Sequence, residues 1–197
     1  MPYTLITGGV RSGKSAFAER LAGLSRRVLY VATGQVWDGE MEKRIDLHRE
    51  RRPEIWGLLE VQESLVEPVL AEVEAGRWEA VLVDDLSTWV STILLNLPEE
   101  EWRSEATRER LFNEARRLAE ALQASSVLTV LVTSETGLGG VALTPLGRAF
   151  QDLLGEVNQI VAAKAEDVYF VISGRPLKLP QLEEAVEHRS SGGGSVV

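Results

Sequence analysis

The sequence predicts a mostly parallel α/β sheet with helices on both faces, and three observations carry that expectation. The first is Gly8-Gly9-Val10-Arg11-Ser12-Gly13-Lys14-Ser15. It fits the phosphate-cradling pattern G-x-x-x-x-G-K-[ST] and stands between a strand-like run and a helical pattern, the context a P-loop needs. The second is a set of short, continuous apolar runs alternating with segments of helical periodicity, the mark of parallel strands buried on both faces. The third is Ala80-Val81-Leu82-Val83-Asp84-Asp85, a buried-strand pattern that ends in carboxylates. In such a sheet ligands bind at the carboxyl ends of the strands, where the loop, Thr33, Asp84 and Ser134 would gather.

Taken in order, Tyr3–Thr7 reads as the first strand and Ser15–Leu24 as the helix after the loop, with Phe17, Leu21 and Leu24 at helical spacing. Arg27–Thr33 is the second strand. Asp38 then caps a helix reaching about Arg51, stopped by Pro53, with Met41, Ile45 and His48 on one face. Ile55–Val61 is a short strand, and Ser64–Val73 is a helix that tolerates Pro68 in its first turn. The carboxylate-ended strand is followed by an apolar helix, Leu86–Leu97, closed by Pro98. Glu99–Gln123 reads as one charged helix whose inward stripe is Trp102, Leu111, Leu118 and Leu122. Val127–Thr133 is another buried strand, opening into a Ser134–Gly140 loop. Thr144 caps and Pro145 opens a helix to about Lys164, and Val168–Ser173 with Leu177–Leu179 reads as a last strand and a hairpin arm.

Composition narrows the function. At 197 residues the chain suits one P-loop domain, assigned to 1–180, with a Ser/Gly-rich tail at 181–197 that is expected to be flexible. A net charge of −9 argues against a nucleic-acid surface. There is no cysteine, which excludes disulfides and thiolate metal sites. No apolar stretch reaches membrane-spanning length and no signal-peptide pattern opens the chain, so a cytoplasmic enzyme is expected.

Within the motif, Lys14 is assigned to the β- and γ-phosphates and the Ser15 hydroxyl to Mg²⁺. Asp84 ends an apolar strand in the Walker B manner, where a carboxylate holds Mg²⁺ directly or through water; a helix cap is the plainer role and suits Asp85. His48 has two readings. A histidine on a helix rich in Arg and Glu is ordinarily a solvated or packed side chain. Yet it shares the apolar face, and Arg49, Arg51 and Arg52 crowd it, so its imidazole could attack phosphorus while guanidinium groups stabilise the phosphoryl charge. Glu60, at a strand end, is open between a surface charge and a ligand contact. Arg148, Asp152, Asn158 and Gln159 are open between a polar site face and an interface. Trp56, Trp78, Trp89 and Trp102 read as core or interface aromatics, and His188 as functionless.

The chain resembles the bifunctional adenosylcobinamide kinase / adenosylcobinamide-phosphate guanylyltransferase family of cobalamin biosynthesis. The resemblance lies in Thr7-Gly8-Gly9-Val10-Arg11-Ser12-Gly13-Lys14-Ser15, Val31-Ala32-Thr33, Glu40-Met41, Arg44-Ile45, His48, Arg52-Pro53 and Trp56. It continues through Asp84, the Thr133–Gly137 loop, Asn158-Gln159 and Val168–Gly174, nearly the whole chain. It departs from the pattern at Asp85, at Thr92 and in Leu138–Ala142. The resemblance implies a recombinase-like P-loop fold and a trimer. It also implies ATP- or GTP-dependent phosphorylation of adenosylcobinamide, then transfer of GMP from GTP, through a guanylylated histidine, to adenosylcobinamide phosphate. That histidine falls on His48. The implied nucleotide contacts fall on Gly8, Gly9, Val10, Arg11, Ser12, Gly13, Lys14, Ser15, Thr33, Gly34, Gln35, Arg49, Glu50, Arg51, Arg52, Glu60 and Asp84. Two rival functions stand beside it: a P-loop kinase of another small molecule without transferase activity, and a non-catalytic GTP-binding switch.

Overall fold

Alternation along the strands builds the molecule. The computed structural model describes residues 3–34, 53 and 55–181. Within them β1 (Thr4–Gly8), β2 (Val28–Ala32), β3 (Gly57–Glu60), β4 (Ala80–Asp84), β5 (Leu128–Val132), β6 (Asp167–Ile172) and β7 (Arg175–Leu179) form one sheet, ordered β3-β2-β4-β5-β1-β6-β7. All neighbours run parallel except β6 and β7. Successive side chains point to opposite faces, so each central strand feeds two cores. Leu5, Leu29, Val31, Val81, Val83 and Leu131 face one way. Ile6, Val28, Tyr30, Leu82, Val130 and Val132 face the other.

The second face carries α1 (Lys14–Ala22), which rests Ala18 and Ala22 on the sheet with no exposed surface. Small residues let this helix lie close to the strands. Leu24 falls beyond the helix and is 81% exposed, so the expected Phe17–Leu21–Leu24 stripe stops short. Gly23 ends the helix in its stead, its N–H returning to Glu19 O. The first face carries α2 (Val66–Glu74), α3 (Leu86–Leu95), α4 (Glu105–Ala124) and α5 (Pro145–Ala162). Apolar side chains surround α3, and its Leu86, Trp89, Val90, Ile93 and Leu94 are all buried. On α4 the buried positions Leu111, Ala115, Leu118 and Leu122 recur at steps of four, three and four. Each buried leucine contributes about 2 kcal/mol relative to exposure. Tyr3 is also wholly buried, and its hydroxyl donates to Val161 O in the last turn of α5. Burial pushes its phenol pKa up.

One predicted helix is two elements. Glu99–Glu101 forms a single 3₁₀ turn, and α4 starts only at Glu105. Ser104 is the reason: its side chain accepts from the Thr107 N–H at 3.1 Å, so the helix begins there with Glu105 in its first turn. Trp102 therefore leaves the predicted stripe. Its indole N–H instead donates to Leu94 O and Leu97 O at the end of α3. Thr144 and Pro145 open α5 as expected, the Thr144 hydroxyl accepting from Gly147 N at 3.0 Å. The β6–β7 hairpin turns on Ser173 and Gly174, with φ of 50° and 77°, the two positive values a type I′ turn requires. Among the described residues no helix is long and apolar enough to cross a membrane. The helix expected from Asp38 to Arg51 and the tail from 182 onward lie outside the described residues.

Candidate functional site

The P-loop leaves β1 at Gly8, and neighbouring elements hold it from both sides. Glu135 N donates to Gly8 O at 3.1 Å from the loop after β5, and Gly174 N donates to Ser12 O at 2.7 Å from the β6–β7 turn. Both glycines at the ends of the loop are there for space. A Cβ on Gly8 would meet Val171 O at 2.6 Å and Ser12 Oγ at 2.7 Å. A Cβ on Gly13 would lie 3.1 Å from Gly174 Cα, and its φ of 95° is one that L residues rarely adopt.

Gly13 is also the N-cap of α1, with no side chain to cap it and no acidic residue in the first turn. The opening N–H groups of a helix have no intrahelical acceptor, and the helix dipole makes that end attractive to anions. Three other helices have such ends closed by a side chain, while α2, with Leu65 at its N-cap, has none and carries Glu67 in its first turn. Asp85 accepts from Thr88 N at 2.7 Å, while Ser104 and Thr144 cap α4 and α5. At α1 the N–H groups have no side-chain cap, an arrangement that suits an anion such as phosphate. Lys14, in the first turn, reaches back to Gly9 O at 3.5 Å, across the mouth of the loop.

Because α1 crosses from β1 over β5 towards β4, it brings the first-turn Ser15 to the end of β4. Ser15 Oγ donates to Asp84 Oδ1 at 3.1 Å. On the other side the Tyr30 hydroxyl donates to Asp84 Oδ2 at 2.8 Å. A serine hydroxyl and a carboxylate this close are hard oxygen donors and fit Mg²⁺, which takes few protein ligands and keeps several waters. Among the described residues no group of three or more His, Cys, Asp or Glu side chains converges.

Asp85, one residue on, is turned away from this pair. Its carboxylate caps α3 and accepts from Ser87 Oγ at 2.6 Å. Its backbone is locked by Thr33, whose hydroxyl accepts from Asp85 N at 2.9 Å and donates to Asp85 O at 2.7 Å. Thr33 is fully buried in that role. Ser87 continues to Ser134 Oγ at 3.0 Å. Asn158, from α5, closes the row: it accepts from Thr133 Oγ1 at 2.6 Å and donates to Ser134 O at 3.1 Å.

The structure thus brings Gly8 to Ser15, Thr33, Asp84 and Ser134 to one edge, as their strand-end positions imply. Val10, Arg11 and Gly34 are exposed there. Glu60 shares a row of the sheet with them: Ala32 is in register with Glu60 on one side and Asp84 on the other. The four polar residues of α5 divide. Asn158 faces this edge, whereas Asp152 pairs with Arg103, Arg148 binds Ala142 O and Leu143 O, and Gln159 donates to Gly155 O. Gln35, His48, Arg49, Glu50, Arg51 and Arg52 lie outside the described residues. Sequence reading missed Tyr30, Ser87 and Gly174. A tyrosine inside a buried strand signals a hydroxyl in need of a partner, but only the pairing of β2 with β4 says which.

The chain is similar to known proteins in fold and in sequence. Over 95% of its length the chain superposes on 53% of a prototypical ATPase from the type III secretion system of pathogenic bacteria, with a TM-score of 0.58 at 11% sequence identity, a likeness of fold. It is 40% identical over 179 residues to the bifunctional adenosylcobalamin biosynthesis protein CobU of Escherichia coli (strain K12), covering 89% of this chain and 98% of that one. To the bifunctional adenosylcobalamin biosynthesis protein CobP of Pseudomonas aeruginosa it is 42% identical over 176 residues, covering 89% and 95%. The family pattern for cobinamide kinase / cobinamide phosphate guanyltransferase runs over residues 4–179, from the first strand through the last. With that span, and with both relatives matched along nearly their whole length, the chain belongs to the cobinamide kinase / cobinamide phosphate guanyltransferase family.

Proposed function

We propose that this protein phosphorylates adenosylcobinamide with ATP or GTP, and then transfers GMP from GTP to adenosylcobinamide phosphate to give adenosylcobinamide-GDP. The observation that carries this reading is the family match along residues 4–179, laid over an uncapped α1 whose first turn faces the Ser15–Asp84 pair.

In the kinase step the N–H groups at the start of α1 and the Lys14 ammonium hold the triphosphate, and the loop glycines allow the backbone to close around it. Ser15 and Asp84 would hold Mg²⁺, which when bound neutralises charge on the phosphate oxygens. Positioning and charge complementarity then supply most of the rate, so no strong base is demanded. In the transfer step neutral His48 attacks the α-phosphorus of GTP. A P–N bond forms, the bond to the bridging oxygen breaks and pyrophosphate leaves. A phosphate oxygen of adenosylcobinamide phosphate next attacks the same phosphorus, the P–N bond breaks and the imidazole is restored. Arg49, Arg51 and Arg52 are the basic groups we assign to the phosphoryl charge. We further take residues 1–180 as the working P-loop unit, in a cytoplasmic homotrimer, with 181–197 as a tail.

The test is covalent labelling. The protein is incubated with Mg²⁺, pyrophosphatase and GTP labelled at the α-phosphate, then denatured, beside His48→Ala. Label that is acid-labile, alkali-stable and missing from the variant supports the histidine intermediate. GTP binding without retained label removes the transferase half and leaves a small-molecule kinase or a GTP switch.

A further inference from the structure

At the carboxyl edge, nucleotide binding accounts for the P-loop backbone, Lys14, Ser15 and Asp84, but not for Tyr30. We propose that Tyr30 is a positioning residue that fixes the plane of the Asp84 carboxylate for the divalent cation accompanying the nucleotide. The proposal rests on the metal–nucleotide reading of Ser15 and Asp84 given above.

Strand register places the two residues. In the β2–β4 pair Tyr30 is opposite Leu82 and Ala32 is opposite Asp84. Tyr30 and Asp84 therefore share one face of the sheet, displaced by two residues along it, and this diagonal is within reach of an aromatic side chain. The ring has almost no freedom. It is 3% exposed and packed with Ile6, Ala18, Leu82 and Val130 in the core beneath α1. Its hydroxyl is consequently delivered to a fixed point, 2.8 Å from Asp84 Oδ2.

A carboxylate gains from that constraint. The Cβ–Cγ torsion of aspartate has a broad profile, so a contact at one oxygen leaves the group free to turn. Here Ser15, on the P-loop helix, holds Oδ1, and Tyr30, on a rigid strand, holds Oδ2. A carboxylate accepts at about four sites, so holding each oxygen by one hydroxyl does not by itself exhaust its capacity to take a cation or its water. The Ser15 hydroxyl can go on donating to Asp84 while its own lone pairs remain available. Tyr30 has no part in this proposal as a phosphate ligand. It acts through Asp84.

The alternative is that a buried tyrosine merely found an acceptor, and metal binding separates the two. Binding of Mn²⁺ to the protein saturated with a GTP analogue bearing a methylene bridge between the α- and β-phosphorus is followed by electron paramagnetic resonance. This analogue cannot pass on GMP. In Tyr30→Phe, Mn²⁺ affinity should fall about tenfold, in keeping with loss of a hydrogen bond to a charged group. Metal-free binding of the analogue should stay within about twofold. Unchanged Mn²⁺ affinity, or an equal loss of metal-free binding, overturns the proposal. Should Tyr30→Phe fail to fold, the unaltered protein is labelled with 3-fluorotyrosine. It has three tyrosines, and Tyr3→Phe and Tyr169→Phe assign the fluorine signals by elimination. The Tyr30 signal should move when Mg²⁺ is added to the analogue-saturated protein, and a stationary signal overturns the proposal. If the unaltered protein shows no metal-dependent binding, the metal–nucleotide reading fails and this inference falls with it. If it does and Tyr30→Phe matches it, this inference alone falls.

Discussion

The two ends of β4 hold carboxylates in opposite ways. At its amino end Glu79 accepts from the Arg26 N–H and from Arg27 Nε, while Glu72 of α2 accepts from Arg77 and from the Trp78 indole. These are acid–base pairs on the surface, each completed within a few residues or by the neighbouring strand. At the carboxyl end Asp84 takes hydroxyl donors from Ser15 and Tyr30, brought from two different elements, beside a helix start with no side-chain cap. A hydroxyl orients a carboxylate without cancelling its charge, whereas a guanidinium does both. The amino end pairs its carboxylates with cationic and backbone donors; the carboxyl end is the one we propose to take a charged ligand.

The largest effect is expected where the carboxyl end depends on backbone shape. Gly13→Ala would place a methyl 3.1 Å from Gly174 Cα at a φ of 95°. The left-handed conformation alone costs an L residue about 1–2 kcal/mol. The free loop can open to relieve the overlap, but phosphate forces it closed again, so nucleotide affinity should drop about 100-fold or more. Calorimetric titration with GTP checks it. Retained affinity would mean that the loop's shape is not what binds.

Adjacent carboxylates offer a finer cut. Asp84→Asn should lower kinase kcat about 100-fold or more, since charge at a transition-state clamp is removed, while Tm stays within about 2 °C. Asp85→Ala should do the reverse. Losing the N-cap of α3 costs about 1 kcal/mol, or about 2–4 °C in Tm, and kcat should stay within about threefold. Measuring both quantities on both variants decides the assignment. If Asp85→Ala is the inactive one, the two residues have been given each other's roles.

That pair also shows how far the sequence can be read. Gly8 to Ser15 are legible because the motif is local: the glycines, the lysine and the serine all act within one turn of chain. Strands are legible for a similar reason, since a run such as Val81-Leu82-Val83 has to be buried. Asp84 and Asp85 are the same residue at neighbouring positions, and the strand-to-helix junction makes the Asp85 cap legible, as the structure has it, whereas the hydroxyls that hold Asp84 come from distant elements. Tyr30 and Gly174 are further from reach. Each becomes part of the site only through pairing across the sheet, β2 with β4 and the β6–β7 turn with the P-loop. Ser104 is a local cap signal, but the charged run around it, Glu99–Glu101 with Glu105, reads as one continuous helix and masks the break.

The smallest expected effect tests the other end of β4. Hydrogen bonding from the Trp78 indole, then from Arg77, holds the Glu72 carboxyl below its ordinary value of 4.5. A group whose folded pKa is lowered stabilises the fold fully above its unfolded value, and that stabilisation is lost as pH falls through the folded one. Glu72→Gln keeps an acceptor for the indole and removes the charge facing Arg77, so it isolates the ionic part. At neutral pH the variant should melt about 1–2 °C lower, because exposed pairs of this kind contribute a few tenths of a kcal/mol. The gap should narrow as pH falls below the ordinary carboxylate range and close once pH has passed the lowered pKa of Glu72. GTP affinity should not change at any pH where both proteins are folded. A Tm gap independent of pH would mean that Glu72 acts through shape and not charge. A change in GTP affinity would mean that the two ends of β4 are coupled, and the contrast between them would no longer hold.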